Sequence, residues 1–277
     1  MNLYIDFGGT SFRYQLDTLP IETVQSNTID IKIFLDTIIK QYPAISLIAI
    51  SFAGVVKNGK IVSSPNINIE KFDITTYVKE RYNIPLLIDN DLNCAALAEH
   101  NNLQVDSLAI FYIGTGFGGA FIDNNKILTG ANNSGGEIGH IPFKKSPFKC
   151  GCGRDDCLEL YVSGHGIETW CNYFNIETKY RRLDLLETTD NYKATMIIKN
   201  FYQGLEHAFH TVINLFDFDN LVLGGSVGKN EKIKKFLEEQ FLKTAFKKEK
   251  LTITLSSLQE GSLEGTKFLN KNFKGSN

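Results

Sequence analysis

No stretch of this sequence is long and apolar enough to cross a bilayer. The longest nearly apolar run, Leu47 to Val56, stops well short of the about 20 residues that a spanning helix needs. Basic charge is not in surplus either, and a net charge of −2 over 277 residues lacks the electrostatic footprint of a nucleic-acid binder. The lysine-rich stretch from Lys229 to Lys250 also carries glutamates, and its apolar residues recur at helical spacing, which predicts a solvated amphipathic helix. No export leader is expected either. The start Met1-Asn2-Leu3-Tyr4-Ile5-Asp6 has no basic segment, apolar core or small-residue cleavage site, so the expected location is cytoplasmic. What remains, at 43% hydrophobic and 22% charged residues, is the composition of a globular protein of one large or two ordinary domains.

Disulfides seldom persist in the cytoplasm, so the five cysteines call for another reading. Cys94 and Cys171 sit in apolar helical contexts and read as inert core thiols. The other three follow Gly136-Glu137-Ile138-Gly139-His140 closely, in Cys150-Gly151-Cys152-Gly153-Arg154-Asp155-Asp156-Cys157-Leu158-Glu159. Three thiolates and an imidazole at this spacing predict a tetrahedral Zn²⁺ site, against the alternatives of a disulfide or unpaired buried thiols. Four protein ligands leave no open position for a reactive water, so such a zinc is structural. Glu137 and Glu159 bracket the cluster and would be fixed in space with it.

Two common phosphate signatures do not fit the turns at Gly8 and Gly114: no Gly-Lys-Ser/Thr follows either, and the next segment of each reads as strand rather than the helix that the dinucleotide fingerprint requires. Instead a strand-turn-strand plan occurs twice. Leu3-Tyr4-Ile5 leads through Asp6-Phe7-Gly8-Gly9-Thr10 to Phe12–Leu16, and Leu108–Ile113 leads through Gly114-Thr115-Gly116-Phe117-Gly118-Gly119 to Ala120–Asp123. One such turn usually just closes a hairpin. A matched pair, each able to aim backbone N–H groups at one phosphate chain, implies two related lobes that bind phosphates. Asp6 at its strand end suits a hydrated Mg²⁺. A third glycine element, Gly224-Gly225 after Leu221-Val222-Leu223, either borders a nucleotide or is a plain strand-to-helix turn.

The short strand Leu86-Leu87-Ile88 runs into Asp89-Asn90-Asp91-Leu92-Asn93 and then an alanine-rich helix. Ligands of α/β sheets gather at the carboxyl ends of strands. A helix start also needs an Asn or Asp cap, which explains one of these residues and not four. One of Asn90 and Asp91 is therefore assigned to capping, and Asp91 is expected to act as general base. Ile48–Val56 reads as a further strand, Asn58-Gly59 as a hairpin, and Asn66 as either a turn residue or an amide facing vicinal hydroxyls.

Taken in order, these motifs resemble the ROK family of repressors, open reading frames and sugar kinases, within the sugar kinase, Hsp70 and actin superfamily. Ser64-Pro65-Asn66 and Asn90-Asp91-Leu92-Asn93 belong to the match, as do both glycine turns, Gly136–His140, the cysteine cluster with Glu159, and Gly224-Gly225. The resemblance implies an α/β fold of two ribonuclease-H-like lobes with an interlobe cleft and a zinc loop. Residues 1–105 plus a C-terminal helix over 261–277 would form one lobe and residues 106–260 the other. It implies ATP-dependent phosphorylation of a hexose at the 6-hydroxyl, glucose first, with an N-acetylmannosamine or N-acetylglucosamine kinase as the alternative and a non-catalytic sugar sensor as a further one.

By the same resemblance Asp91 is the base, and Asn66, Asn90, Glu137, His140 and Glu159 hold the other sugar hydroxyls. His140, Cys150, Cys152 and Cys157 bind zinc, and Asp6 assists Mg²⁺. Gly8, Gly9, Thr10, Gly116, Gly118 and Gly119 line the phosphates, and Gly224 and Gly225 border the adenine nucleotide. The family implies a homodimer, and repressor members carry an N-terminal DNA-binding domain, which is not expected here because the first strand starts at Leu3. Two departures stand out: Ala53-Gly54 replaces the frequent Pro-Gly, and the small-residue pattern near the C-terminus is reduced to Gly261-Ser262-Leu263-Glu264-Gly265.

Overall fold

The computed structural model describes residues 1–64, 67, 69–177, 182–244 and 250–269. The chain divides into two compact units, one of Met1–Gln104, Lys126–Gly135 and the chain from Leu258 onward, the other of Val105–Asn125 and Gly136–Ser257.

The first unit contains β1 (Asn2–Phe7), β2 (Ser11–Leu16), β3 (Glu22–Gln25), α1 (Ile31–Gln41), β4 (Leu47–Phe52), β5 (Val55–Lys57), β6 (Lys60–Ser63), α2 (Ile74–Tyr82), β7 (Leu86–Asn90) and α3 (Asp91–Leu103). Later segments add β10 (Lys126–Ile127) and α9 (Gly261–Thr266), numbered in chain order. Its sheet runs β3-β2-β1-β4-β7, antiparallel among the first three and parallel among β1, β4 and β7. Alternation in β1 sends Leu3, Ile5 and Phe7 into the core, where Phe7 meets Phe12 and Phe52 edge-on at 5.1 and 5.7 Å. Asp30 starts α1 by accepting the Lys32 and Ile33 amides, and Ile31, Leu35, Ile38 and Ile39 form the buried stripe. The expected hairpin at Asn58-Gly59 joins β5 to β6, both residues taking the positive φ that a two-residue turn requires.

Register then places four polar residues in one row across four strands: Arg13 of β2 opposite Asp6 of β1, Asp6 opposite Ser51 of β4, and Ser51 opposite Asp89 of β7. Cross-strand partners point to the same face, so a polar row lies near the carboxyl ends of the parallel strands. Helices α3 and α9 pack against each other, and α9 also against β1 and β4. Of the helix expected over 261–277, the structure describes Gly261–Thr266, and residues from 270 on lie outside the described residues.

Lys126–Gly135 groups with the first unit. Polar contacts hold it there. The Asn133 amide donates to the Asp89 carboxylate at 3.1 Å and to the Val56 carbonyl at 2.8 Å, and the Lys57 ammonium donates to Asn132 at 2.7 Å. Asn133→Ala strips two buried acceptors of a donor. Urea denaturation is expected to show a loss of about 1–3 kcal/mol, and unchanged stability would remove this latch from the account.

The second unit contains β8 (Leu108–Ile113), β9 (Phe117–Asp123), α4 (Gly164–Tyr173), α5 (Leu183–Leu186), α6 (Tyr192–Phe216), β11 (Asn220–Gly224), α7 (Gly225–Gly228), α8 (Glu231–Phe241) and β12 (Thr252–Leu255). Its strands lie in the order β9-β8-β11-β12, with β8 antiparallel to β9 and parallel to β11, and β11 parallel to β12. An antiparallel hairpin at the start followed by parallel strands is the plan of the first sheet again. Asn191 caps α6 by accepting the Lys193 amide. The amphipathic helix expected over Lys229–Lys250 is shorter: Asn230 caps α8, which buries Ile233, Leu237 and Gln240 and ends at Phe241, while residues 245–249 lie outside the described residues. No helix among the described residues is long and apolar enough to cross a membrane.

Candidate functional site

Asp91 is the first residue of α3, and Asn90 before it is the cap. Oδ1 of the Asn90 side chain accepts from the Leu92 and Asn93 amides at 2.9 and 3.4 Å, and its Nδ2 donates to the Gly54 carbonyl at 3.1 Å. Capping therefore falls to Asn90, and its amide closes the loop that follows β4. Asp91 is half-buried, with one carboxylate oxygen 3.0 Å from the Leu92 N–H. The positive end of α3 favours a carboxylate at this place.

Asp6 is buried, with one oxygen bonded to the Arg13 guanidinium at 3.0 Å and the other to the Ser51 hydroxyl at 2.9 Å. Burial pushes its carboxyl above the usual range, while the Ser51 and Arg13 bonds oppose the rise. Arg13 also pairs with Glu260 at 3.1 Å. The glycine turn after β1 is tight: the Gly8 N–H bonds the Ser11 carbonyl at 3.1 Å, and the Gly8 carbonyl accepts the Ser26 hydroxyl at 2.7 Å. Gly9 is half-buried and Thr10 exposed. Cys94 lies fully buried beneath this row, its thiol raised first by burial and then by Asp89, Asp6 and Asp91, as an inert core thiol should be. Asn66 lies outside the described residues.

In the second unit, Glu137, His140, the three cysteines and Glu159 come together. The ligand atoms of His140, Cys150, Cys152 and Cys157 all lie within 4.8 Å of one another. Nδ1 of His140 is 3.5 Å from Sγ of Cys150, and the sulfurs of Cys152 and Cys157 are 3.3 Å apart. A tetrahedral ion about 2.3 Å from sulfur and about 2.0 Å from nitrogen spaces its ligands by roughly 3.5–3.8 Å. The His140–Cys150 spacing meets that demand, and the four ligand atoms are close enough together to hold one ion. Nε2 of His140 lies 3.8 Å from the Glu137 carboxylate, so the two ring nitrogens face the thiols and Glu137 respectively. Burial and the neighbouring sulfurs push the Cys157 thiol up, a shift that a bound dication would reverse.

Glu159 reaches the glycine turn. One of its carboxylate oxygens accepts the Phe117 N–H at 2.9 Å, and the other is 3.7 Å from Sγ of Cys150. At the start of α4, Gly164 and His165 donate to the Gly114 and Thr115 carbonyls at 2.7 and 3.0 Å. Gly118 is half-buried, and Gly119 is buried beneath Ile138. Gly224 faces the Tyr112 ring, which occupies the place of a side chain there, and Gly225 takes φ +79°.

Arg13, Ser51, Asp89, Asn133 and Glu260 are contributors that the sequence reading left without a role. A charged residue inside the Phe12–Leu16 strand was the one available signal, because the others depend on strand register. The second unit's hairpin-first sheet, set beside the first, is a mixed α/β duplication of the actin-like ATPase type. The chain matches the ROK family over residues 3–272 and belongs to it.

Among relatives, the chain is 26% identical over 296 residues to the N-acetyl-D-glucosamine kinase of Vibrio vulnificus, covering 96% of this chain and 97% of that protein. It is 29% identical over 189 residues to the xylose repressor of Bacillus spizizenii, covering 65% of this chain and 48% of the repressor, so it spans about half that protein's length. The fold is similar to that of a ROK hexokinase from Thermus thermophilus, with a TM-score of 0.83, 23% identity and 99% of both chains covered.

Proposed function

We propose that the protein is an ATP-dependent hexose kinase that phosphorylates the 6-hydroxyl, with glucose as acceptor. The observation that carries this reading is Asp91: a carboxylate on the first turn of α3, relieved of capping by Asn90, at the end of a parallel strand. Asp91 takes the proton of the 6-hydroxyl as its oxygen attacks the γ-phosphorus. Asn66, Asn90, Glu137, His140 and Glu159 hold the remaining hydroxyls. The turns at Gly8-Gly9-Thr10 and Gly118-Gly119 present backbone to the phosphates, and Gly224-Gly225 borders the nucleotide. Asp6, fixed by Arg13 and Ser51, fits a place beside the hydrated Mg²⁺ that accompanies ATP and supplies charge neutralisation there. His140, Cys150, Cys152 and Cys157 hold a structural Zn²⁺ that fixes the loop bearing Glu137 and Glu159. The family's homodimer is the expected assembly.

An N-acetylhexosamine acceptor is favoured by one observation, the near full-length match to an N-acetyl-D-glucosamine kinase. The repressor relative motivates a third reading, a sugar sensor without turnover. ADP release with Mg-ATP against glucose, N-acetylglucosamine, N-acetylmannosamine, mannose, fructose and allose separates all three. Glucose is expected to give the highest kcat/KM. A winning N-acetyl sugar transfers the assignment to that substrate, and sugar binding without ADP marks a sensor.

For the metal, Cys152→Ser is expected to lower zinc content, read by atomic absorption, and sugar affinity together. A metal-free variant that retains full sugar affinity rules out the ordering role.

A further inference from the structure

Gly116 reads from sequence as a phosphate-lining glycine, but the space beside it is filled by a side chain. A Cβ there would lie 2.5 Å from Oε2 of Glu159 and 3.5 Å from its Cδ. Its backbone is not among the positive-φ glycines, so space rather than conformation keeps a side chain out. The same Oε2 accepts the neighbouring Phe117 N–H at 2.9 Å. Glu159 is further anchored through its own carbonyl, which accepts the Ser163 hydroxyl at 2.7 Å, and its Oε1 lies 3.7 Å from Sγ of Cys150. The carboxylate thus spans from the thiol cluster to the glycine turn within one unit.

We propose that Gly116 and the Phe117 N–H are positioning elements that seat the Glu159 carboxylate, and that through this seat the sugar-binding loop is coupled to the phosphate turn. The inference rests on the sugar kinase reading and deepens it. A charge-assisted hydrogen bond from a fixed backbone N–H sets where the carboxylate sits. A sugar hydroxyl that draws on the same carboxylate then acts directly on the Gly114–Gly118 backbone, and sugar occupancy is communicated to the place where phosphates are held.

Gly116→Ala drives the carboxylate off the Phe117 N–H. The expected result is a sugar KM raised roughly tenfold to a hundredfold, the range for loss of a charged hydrogen bond, with ATP KM within about threefold. A phosphate-lining role predicts the reverse, and a raised ATP KM with unchanged sugar KM overturns the proposal. Glu159→Asp in the Gly116→Ala background should cost less than the product of the two single changes, since a shorter side chain withdraws from the added methyl. Multiplicative effects mean independent residues and overturn the coupling.

The wild-type protein gives a second measurement that no folding defect can spoil. Saturating sugar without nucleotide should alter amide hydrogen exchange in the peptide covering residues 114–118. Sugar that binds by calorimetry while leaving that peptide unchanged overturns the coupling alone. Absence of binding by every sugar in the panel overturns the kinase reading and this inference with it.

Discussion

Asp91→Asn is expected to lower kcat by roughly two to four orders of magnitude, the usual contribution of a positioned base, while sugar still binds. The substitution is nearly isosteric and sits after the cap. Asn90, not Asp91, closes the α3 N-terminus on the Leu92 and Asn93 amides. An Asn side-chain oxygen at position 91 can keep the contact with the Leu92 N–H, now 3.0 Å from the carboxylate. The helix therefore stays formed, and the lost property is proton acceptance. Single-turnover kinetics with titration calorimetry of the sugar separates the two. Turnover within a few-fold of wild type removes Asp91 as base and leaves the other sugar ligands untouched.

The second large effect is structural. Gly265 of α9 faces the backbone of α3 so closely that a Cβ would run into the Cys94 carbonyl. Neither chain segment can yield by rotating a side chain, because the obstacle is backbone. Gly265→Ala is expected to destabilise by about 3 kcal/mol, the upper part of the range for overpacking, and to lower the melting midpoint by roughly 5–10 °C. The same contact lies close to the site: Cys94 is three residues after Asp91, and α9 also covers β1 and β4, which carry Asp6 and Ser51. Gly265→Ala should then reduce kcat as well as stability. A midpoint within a degree of wild type would show that α9 shifts freely over α3.

Much of the site was legible because its residues are close in sequence. The cysteine cluster needs only local loop geometry to bring His140 Nδ1 within 3.5 Å of Cys150 Sγ, and spacing reveals that. Asn90 and Asp91 were legible as a pair. Only the structure assigned the cap between them, since the choice depends on which side chain turns toward the Leu92 and Asn93 amides. The two glycine turns were readable as a repeat, but the reason for individual glycines was not. Gly116 makes room for Glu159, Gly224 for Tyr112 and Gly265 for the Cys94 carbonyl, and each neighbour lies far away along the chain.

The sequence by itself determined the duplicated strand-turn-strand plan and the grouping of His140 with three cysteines, both through periodicity and short-range spacing, and its motifs in order carried the resemblance to the family that the chain belongs to. Tertiary structure alone decided that Arg13, Asp6, Ser51 and Asp89 form one row, that Asn133 draws Lys126–Gly135 into the first unit, and that Glu159 ties the thiol cluster to the Phe117 N–H. Those contacts arise from strand register and backbone approach between segments distant in sequence, and no local pattern of residue types encodes them.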